Sequence, residues 1–366
     1  MGTRQATRSP VRRLSIAGAA VVVAVVAAAL VVPTVATARV DLPDKTPAEL
    51  VQFAAASHVS RMTGTIEQSS DLGLPDLSSL TAGSSAGKDS SADALDLVTG
   101  SHTAKVYLDG DRARLQVLDR LAERDVYVDH AAKQGWFVDS ETKTATHYTA
   151  TGGDAGSPVP QPTATPQQML DDALAKLGES TDISVGTDGR VAGRDAYELV
   201  LVPKDAESLV GEVRFAIDGA TGAALDASVT ARGADQPAFE VVFTQVAFSA
   251  PDAATLAYTP APGFTVEEKT LPSHSEHGAT PEAGADAAQR PVVHGEGWTA
   301  VVELPQSDAK AGAAGEDAAM IEKLTRPVAG GRVLETALVT VFFADDGRVF
   351  AGAVGADRLA QVAAGG

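Results

Sequence analysis

Tyr197-Glu198-Leu199-Val200-Leu201-Val202 places Tyr197, Leu199 and Leu201 on one face and Glu198, Val200 and Val202 on the other. Period-two alternation is what a strand needs to bury one face. Glu212-Val213-Arg214-Phe215-Ala216-Ile217 then leads through Asp218-Gly219-Ala220-Thr221-Gly222 into Leu225-Asp226-Ala227-Ser228-Val229-Thr230. The glycines supply the positive φ that such a hairpin loop demands. In Phe239-Glu240-Val241-Val242-Phe243-Thr244-Gln245-Val246-Ala247-Phe248, one side carries Phe239, Val241 and Phe243 and the other Val242, Val246 and Phe248. A strand with two apolar faces is either packed between layers or lines a cavity, and the pattern alone admits both. Strands linked by Gly/Asp turns thus dominate residues 186–266, with no cluster of catalytic residue types among them.

The start of the chain sets its compartment. Arg4, Arg8, Arg12 and Arg13 form a basic stretch, residues 14–32 are apolar apart from Ser15, and Ala36-Thr37-Ala38 precedes Arg39. That layout predicts an export signal over residues 1–38 with a cleavage site after Ala38. The apolar run is also long enough to span a bilayer, so an uncleaved signal anchor is the second reading. Both place the remainder outside the cytoplasm, either held on the cell membrane or released into the envelope. No second run of that length follows, which argues against a polytopic membrane protein. With no cysteine, the chain has no disulfide, thiolate metal site, cysteine nucleophile or lipid-bearing cysteine. Its formal charge is −19, and residues 1–38 contribute four arginines and no acid, so the exported part is more acidic still. Such a surface repels nucleic acid and anionic bilayers.

Further along, Thr46-Pro47-Ala48-Glu49 has the cap, the proline and the glutamate of a helix start, and Leu50, Val51, Ala54 and His58 follow at helical spacing. Residues 69–100 are rich in Ser, Gly, Ala and Asp and read as a loop. Strands are expected at 103–108, 112–118, 125–129 and 135–139. A Pro/Thr/Gly-rich loop leads to a second capped helix from Thr165, with Met169, Leu170, Ala173, Leu174 and Leu177 as its apolar stripe. Residues 271–290 read as a linker. Beyond it, strands are expected at 297–302, 332–343 and 349–354, with a helical segment near 317–324. This tail either completes the same sheet or forms an appended unit.

Signals of chemistry are few. His274, Glu276, His277 and His294 have the residue types of a zinc site, but their Pro/Gly/Ser-rich setting favours solvated loop residues. Gly83-Ser84-Ser85-Ala86-Gly87 matches the letters of a nucleophile elbow without the apolar strand that should precede it, so a chance match is preferred. Asp345-Asp346-Gly347 lacks the glutamate that closes a calcium loop and reads as a hairpin turn. No motif implies a cofactor, a metal or a catalytic residue.

Val191-Ala192-Gly193-Arg194-Asp195-Ala196-Tyr197-Glu198-Leu199, Phe215-Ala216-Ile217-Asp218 with Thr221-Gly222, Phe239-Glu240-Val241-Val242-Phe243 and Tyr258-Thr259-Pro260-Ala261-Pro262-Gly263 together resemble the LolA-like superfamily. With Leu72-Gly73-Leu74-Pro75 and the export segment, the chain is similar to the RseB-type exported proteins of actinobacteria. The resemblance covers about residues 45–270 and rests on strands and turns, not on an active site. It implies an α+β fold, a strongly curved antiparallel half-barrel whose concave, apolar face is capped by helices and accepts acyl chains. The expected organisation is residues 1–38 for export, 39–270 for the half-barrel with an insertion at 69–100, a linker at 271–290 and a β-rich extension at 291–366. Leu50, Val51 and Ala54 on the first helix and Met169, Leu170, Leu174 and Leu177 on the second are the expected lipid-facing positions, inferred from their stripes. The insertion, linker and tail depart from the short carriers of the superfamily, and an anchor would prevent free diffusion. A monomeric carrier of lipid or lipoprotein, handing over to a membrane transporter, is therefore one expectation. An envelope sensor that binds a membrane protein such as an anti-sigma factor is another, and an enzyme would need a convergent polar cluster that no motif predicts.

Overall fold

Thr46 and Thr165 each open a helix by the same local chemistry. In the computed structural model, which describes residues 40, 42–74, 100–118, 122–150, 164–176, 178–271, 291–304 and 324–365, these helices are α1 (Pro47–Ala55) and α2 (Pro166–Ala175). Thr46 Oγ1 accepts from the Glu49 amide at 3.3 Å while the Glu49 carboxylate accepts from the Thr46 amide at 2.8 Å. Thr165 and Gln168 repeat the exchange at 3.3 and 2.8 Å. Two otherwise orphaned donors are satisfied at each helix start, and proline occupies the first turn where its missing N–H costs nothing.

The strands follow in chain order. First come β1 (Arg61–Ser70), β2 (His102–Asp109), β3 (Arg112–Leu118), β4 (Glu123–Asp129), β5 (Gln134–Asp139) and β6 (Thr144–Ala150). After α2 come β7 (Thr181–Val185), β8 (Gly189–Val191), β9 (Arg194–Pro203), β10 (Val210–Asp218), β11 (Ala224–Ala231), β12 (Pro237–Ala247) and β13 (Thr265–Leu271). The C-terminal part supplies β14 (Val292–His294), β15 (Val301–Leu304), β16 (Arg326–Val328), β17 (Gly331–Glu335), β18 (Thr340–Ala344), β19 (Val349–Gly352) and α3 (Ala356–Gly365).

Strands β1 to β13 form one open thirteen-stranded sheet in the order β13-β6-β5-β4-β3-β2-β1-β12-β11-β10-β9-β7, with β8 pairing β9 off the path. All pairs are antiparallel except β13 with β6. This is an α+β half-barrel arrangement: the sheet is mostly antiparallel and unclosed, with α1 and α2 packed over its inner face. Strands β14 to β19 build a second, six-stranded sheet in the order β14-β15-β19-β18-β17-β16. Both belong to one compact unit, Val35–Gly366.

The inner face of the half-barrel is a continuous core. Leu50, Ala54 and Leu170 from the helices pack on Leu199, Leu201, Phe215 and Ile217, all nearly inaccessible. Toward β2–β6 the layer continues through Ile66, Val117, Val126 and Phe243. The Phe243 ring lies over Gly64 of β1 so closely that a Cβ there would be 2.5 Å from it. The second sheet carries its own core, in which Val301, Phe342 and Phe350 pack under Leu359 of α3.

Several expectations need correction. Residues 297–302 are not one strand: Gly297, at φ +62°, starts a single 3-10 turn, Gly297–Thr299, and β15 begins only at Val301. Residues 332–343 are two antiparallel strands, because Thr336 folds the chain back by accepting from the Val339 amide at 2.9 Å and donating its own amide to Val339 O at 2.9 Å. Strand β1 has no counterpart among the expected strands, although it joins β2 to β12 at the centre of the sheet. Helix α3 was equally unmarked in the sequence. The export segment, the Gly83-x-Ser85-x-Gly87 match and the 272–290 linker lie outside the described residues, as does the expected helix near 317–324 apart from Leu324. Among the described residues no helix is long and apolar enough to cross a membrane.

Candidate functional site

Helix α2 turns two faces to its surroundings. Leu170 faces the sheet and is fully buried. Met169, Asp172, Ala173 and Lys176, spaced at three and four residues, form a neighbouring stripe that walls a cleft of about 550 Å³. Val213 and Phe215 of β10 make its floor, and Val293 with residues 295–298 and Ala300 make the opposite wall.

That opposite wall is set by local geometry. Gly295 and Gly297 have φ of +81° and +62°, so two left-handed residues bend the chain back between β14 and β15. A Cβ on Gly297 would lie 2.8 Å from Ser180 Oγ, so any other residue would also have to displace the Ser180 side chain. The bend delivers Trp298 against the half-barrel core, where its indole N–H donates to Thr181 Oγ1 at 2.8 Å. A further tie is the Leu209 amide donating to Ala353 O at 2.8 Å. The second sheet is thereby fixed against the edge of the first, and the cleft is the space left between them and α2.

The expected lipid-facing residues divide by position. Leu50, Ala54 and Leu170 are within side-chain packing of the core, and Val51 and Leu174 are partly buried against it. Met169 reaches the cleft. Leu177 lies outside the described residues. Val213, Phe215 and Trp298, which complete the apolar lining, were not singled out from sequence. The alternation of β10 put Phe215 on the inner face, but only the bend at 295–298 shows that part of this face meets open space.

Polar constellations elsewhere are structural in character. On the outer face Asp125 lies beside Glu123 and binds Arg114 Nε at 2.7 Å. Burial, with the Glu123 carboxyl next to it, pushes Asp125 up to about 7 against the pull of Arg114. Tyr258, from the strap between β12 and β13, packs over Tyr127 and Trp136, and His147 stacks on Trp136 at 4.4 Å. At the β10–β11 corner, Asp218 receives Arg194, the Thr221 amide at 2.8 Å and the Thr221 hydroxyl at 2.7 Å. His294 pairs with Glu303 at 2.9 Å and packs on Phe350, whereas His274, Glu276 and His277 lie outside the described residues. Among the described residues no group of three or more His, Asp or Glu side chains is arranged to hold a metal ion. At Asp345-Asp346-Gly347 the chain makes a hairpin turn, with Gly347 at φ +88° and the Asp346 carboxylate accepting from the Arg348 amide at 3.0 Å.

No protein-family model matches the chain, and no curated protein matches it in sequence. Solved structures do. The chain is similar to the crystal structure of MucB, with 17% identity over 86% of this chain and 96% of that one and a TM-score of 0.41. It is similar to MucB in complex with MucA(peri), with 16% identity over 87% and 97% and a TM-score of 0.43. A LolA superfamily protein from Nitrosomonas europaea matches at 8% identity over 59% and 99%, with a TM-score of 0.22. Likenesses of this size leave function to be read from the chain's own geometry.

Proposed function

We propose that this chain is an exported, non-catalytic binding protein that holds an acyl chain, free or as part of a lipoprotein, in the cleft between α2, β10 and residues 295–300. The observation that carries this reading is the cleft itself: about 550 Å³ of space walled by Met169, Ala173, Val213, Phe215, Val293 and Trp298. That size falls in the range of roughly 300–1,000 Å³ usual for small-molecule sites. An acyl chain gains about 0.8 kcal/mol per methylene removed from water, so a dozen methylenes supply roughly 10 kcal/mol before ordering costs. Binding of that strength needs no reacting group. If residues 1–38 stay as an anchor, transfer would run to a neighbouring membrane transporter and not across the envelope.

A second reading is favoured by one observation. Strand β14 forms an edge of the second sheet beside the cleft, and Val292 and Val293 are 48% and 61% exposed. An apolar edge strand with free backbone groups suits strand addition by a protein partner, such as the extracytoplasmic segment of an anti-sigma factor. Cargo in the cleft would then report envelope state to that partner.

Native mass spectrometry of Val35–Gly366, purified from an envelope host without detergent, tests the first reading. We expect an adduct of lipid mass that disappears in Ala173→Trp, which fills the cleft without adding charge. A clean apo mass that persists after incubation with lipid extract would remove the carrier reading and leave the protein-binding one.

A further inference from the structure

Two cations at the cleft, Arg358 and Lys176, have no ion pair among the described residues. The chain holds 48 acids against 29 basic residues, and its described arginines are otherwise engaged. Arg114 binds Asp125 at 2.7 Å, and Arg214 binds Glu212 and Glu198, each at 2.8 Å. Arg232 donates to backbone carbonyls, at 2.7 Å to Ser208 O. Arg358, near the start of α3, is different: its Nε is covered and meets no acceptor, and among the described residues its guanidinium has no ion pair. Leaving a guanidinium donor covered and unpaired is costly, and such a group calls for an explanation, a missing ligand being a common one.

The covered Nε is itself out of a ligand's reach, but the other end of the same uncompensated guanidinium lies beside the cleft wall. Arg358 Nη2 lies 4.0 Å from where a Cβ on Gly295 would be, and Gly295 is part of the cleft wall. Across the cleft, Lys176 caps the C-terminal end of α2 and lines the same space, also without an ion pair among the described residues. The acids at this cleft, Asp172 and Glu296, pair with neither of them. We infer that the cleft takes an anionic amphiphile, its acyl chain on Met169, Phe215 and Trp298 and its phosphate or carboxylate head between Arg358 and Lys176. A guanidinium presents paired donors that suit either head, and an ammonium on the far wall adds a point charge. This inference rests on the cleft reading above and specifies the class of ligand.

Calorimetric titration of Val35–Gly366 with monododecyl phosphate, dodecanoate and the neutral dodecyl maltoside, each below its micelle concentration, tests it. We expect both anions to bind at least about tenfold more tightly than the neutral amphiphile, as charge-assisted bonds would give. Arg358→Gln should abolish that margin while leaving the neutral amphiphile's affinity unchanged, and the order of the two anions identifies the head as phosphate or carboxylate. Equal affinity for all three, or an intact margin in folded Arg358→Gln, overturns the anionic-head inference while leaving the cleft reading in place. No binding of any of the three overturns both. Lys176→Gln, at an exposed helix end, carries the test if Arg358→Gln does not fold: a reduced margin supports the inference and an unchanged one overturns it.

Discussion

The corner that joins β10 to β11 and the sheet face a few residues beyond it treat the same side chain in opposite ways. At the corner Asp218 is almost inaccessible and surrounded by donors. Burial alone would raise its pKa, but the hydrogen bonds from Arg194 and Thr221 outweigh it and hold the carboxyl below the usual range. On the sheet face Asp226 has an oxygen that is covered and unpartnered. Burial first, and then the nearby Glu240, push it up to about 8, while the nearby Arg214 is held by Glu198 and Glu212. The contrast teaches that burial does not decide the charge of an acid in this fold; the number of donors that reach it does.

The largest effect should come from emptying the corner. Asp218→Ala leaves Arg194 unpaired and the 219–223 loop without its acceptor, and a loss of about 3 kcal/mol is expected by urea denaturation at pH 7. The sign follows from linkage: a lowered carboxyl contributes fully above its unfolded pKa and is lost as pH falls through its folded value. The gap between wild type and Asp218→Ala should therefore narrow in acid, and a gap independent of pH would show that the corner is held by shape alone.

Gly222→Ala attacks the same corner through the backbone. Gly222 has φ +75°, and a Cβ would lie 2.6 Å from Phe53 O at the end of α1. A cost of about 2 kcal/mol is expected from strain and the displaced helix end. A thermal midpoint equal to that of wild type would mean that α1 is not seated on this loop.

Asp226→Asn should act in the opposite direction. Because the folded value is raised, the group favours folding only while it is protonated, and stability falls as pH rises from the unfolded value near 4 through about 8. The amide variant escapes that loss. It should be clearly more stable than wild type at pH 8, with the margin shrinking toward zero near pH 4. A constant difference across that range would place the cause elsewhere than in the carboxyl's ionisation.

Much of the fold was legible because its outer and inner residues alternate. Phe215, Leu199 and Val241 announced their strands, and two Thr-Pro caps announced both helices of the half-barrel. Strand β1 was not legible, because its inner positions are Met62, Gly64, Ile66 and Gln68: Ile66 is the one buried apolar side chain among them, and the other buried one, Gln68, is polar. The volume that should mark it belongs to Phe243 on the neighbouring strand, which fills the space above Gly64. The hairpin at Thr336 was hidden for a related reason: residues 334–343 are rich in β-branched, aromatic and leucine residues, and the turn is made by a threonine rather than by Gly or Pro. Of the cleft, Met169 could be read from a helical stripe. Trp298 and Arg358 could not, since their relation to α2 exists only once the two sheets are packed together.

Strand β1 also bears on how the chain assembles. On one side it pairs with β2, close by in sequence, while on the other it joins Thr63 to Ala247 of β12. Strands β2–β6 and β9–β12 are series of local pairings whose closure costs little chain entropy, whereas the seam between them needs a distant partner. A chain synthesised from its N-terminus delivers β1 long before β12. In that interval β1 would be an open edge, and Thr63, Thr65, Glu67 and Ser69 make one face of it hydrophilic. The polarity that disguises this strand in the sequence thus guards it against pairing with other chains while the second half-sheet is still arriving.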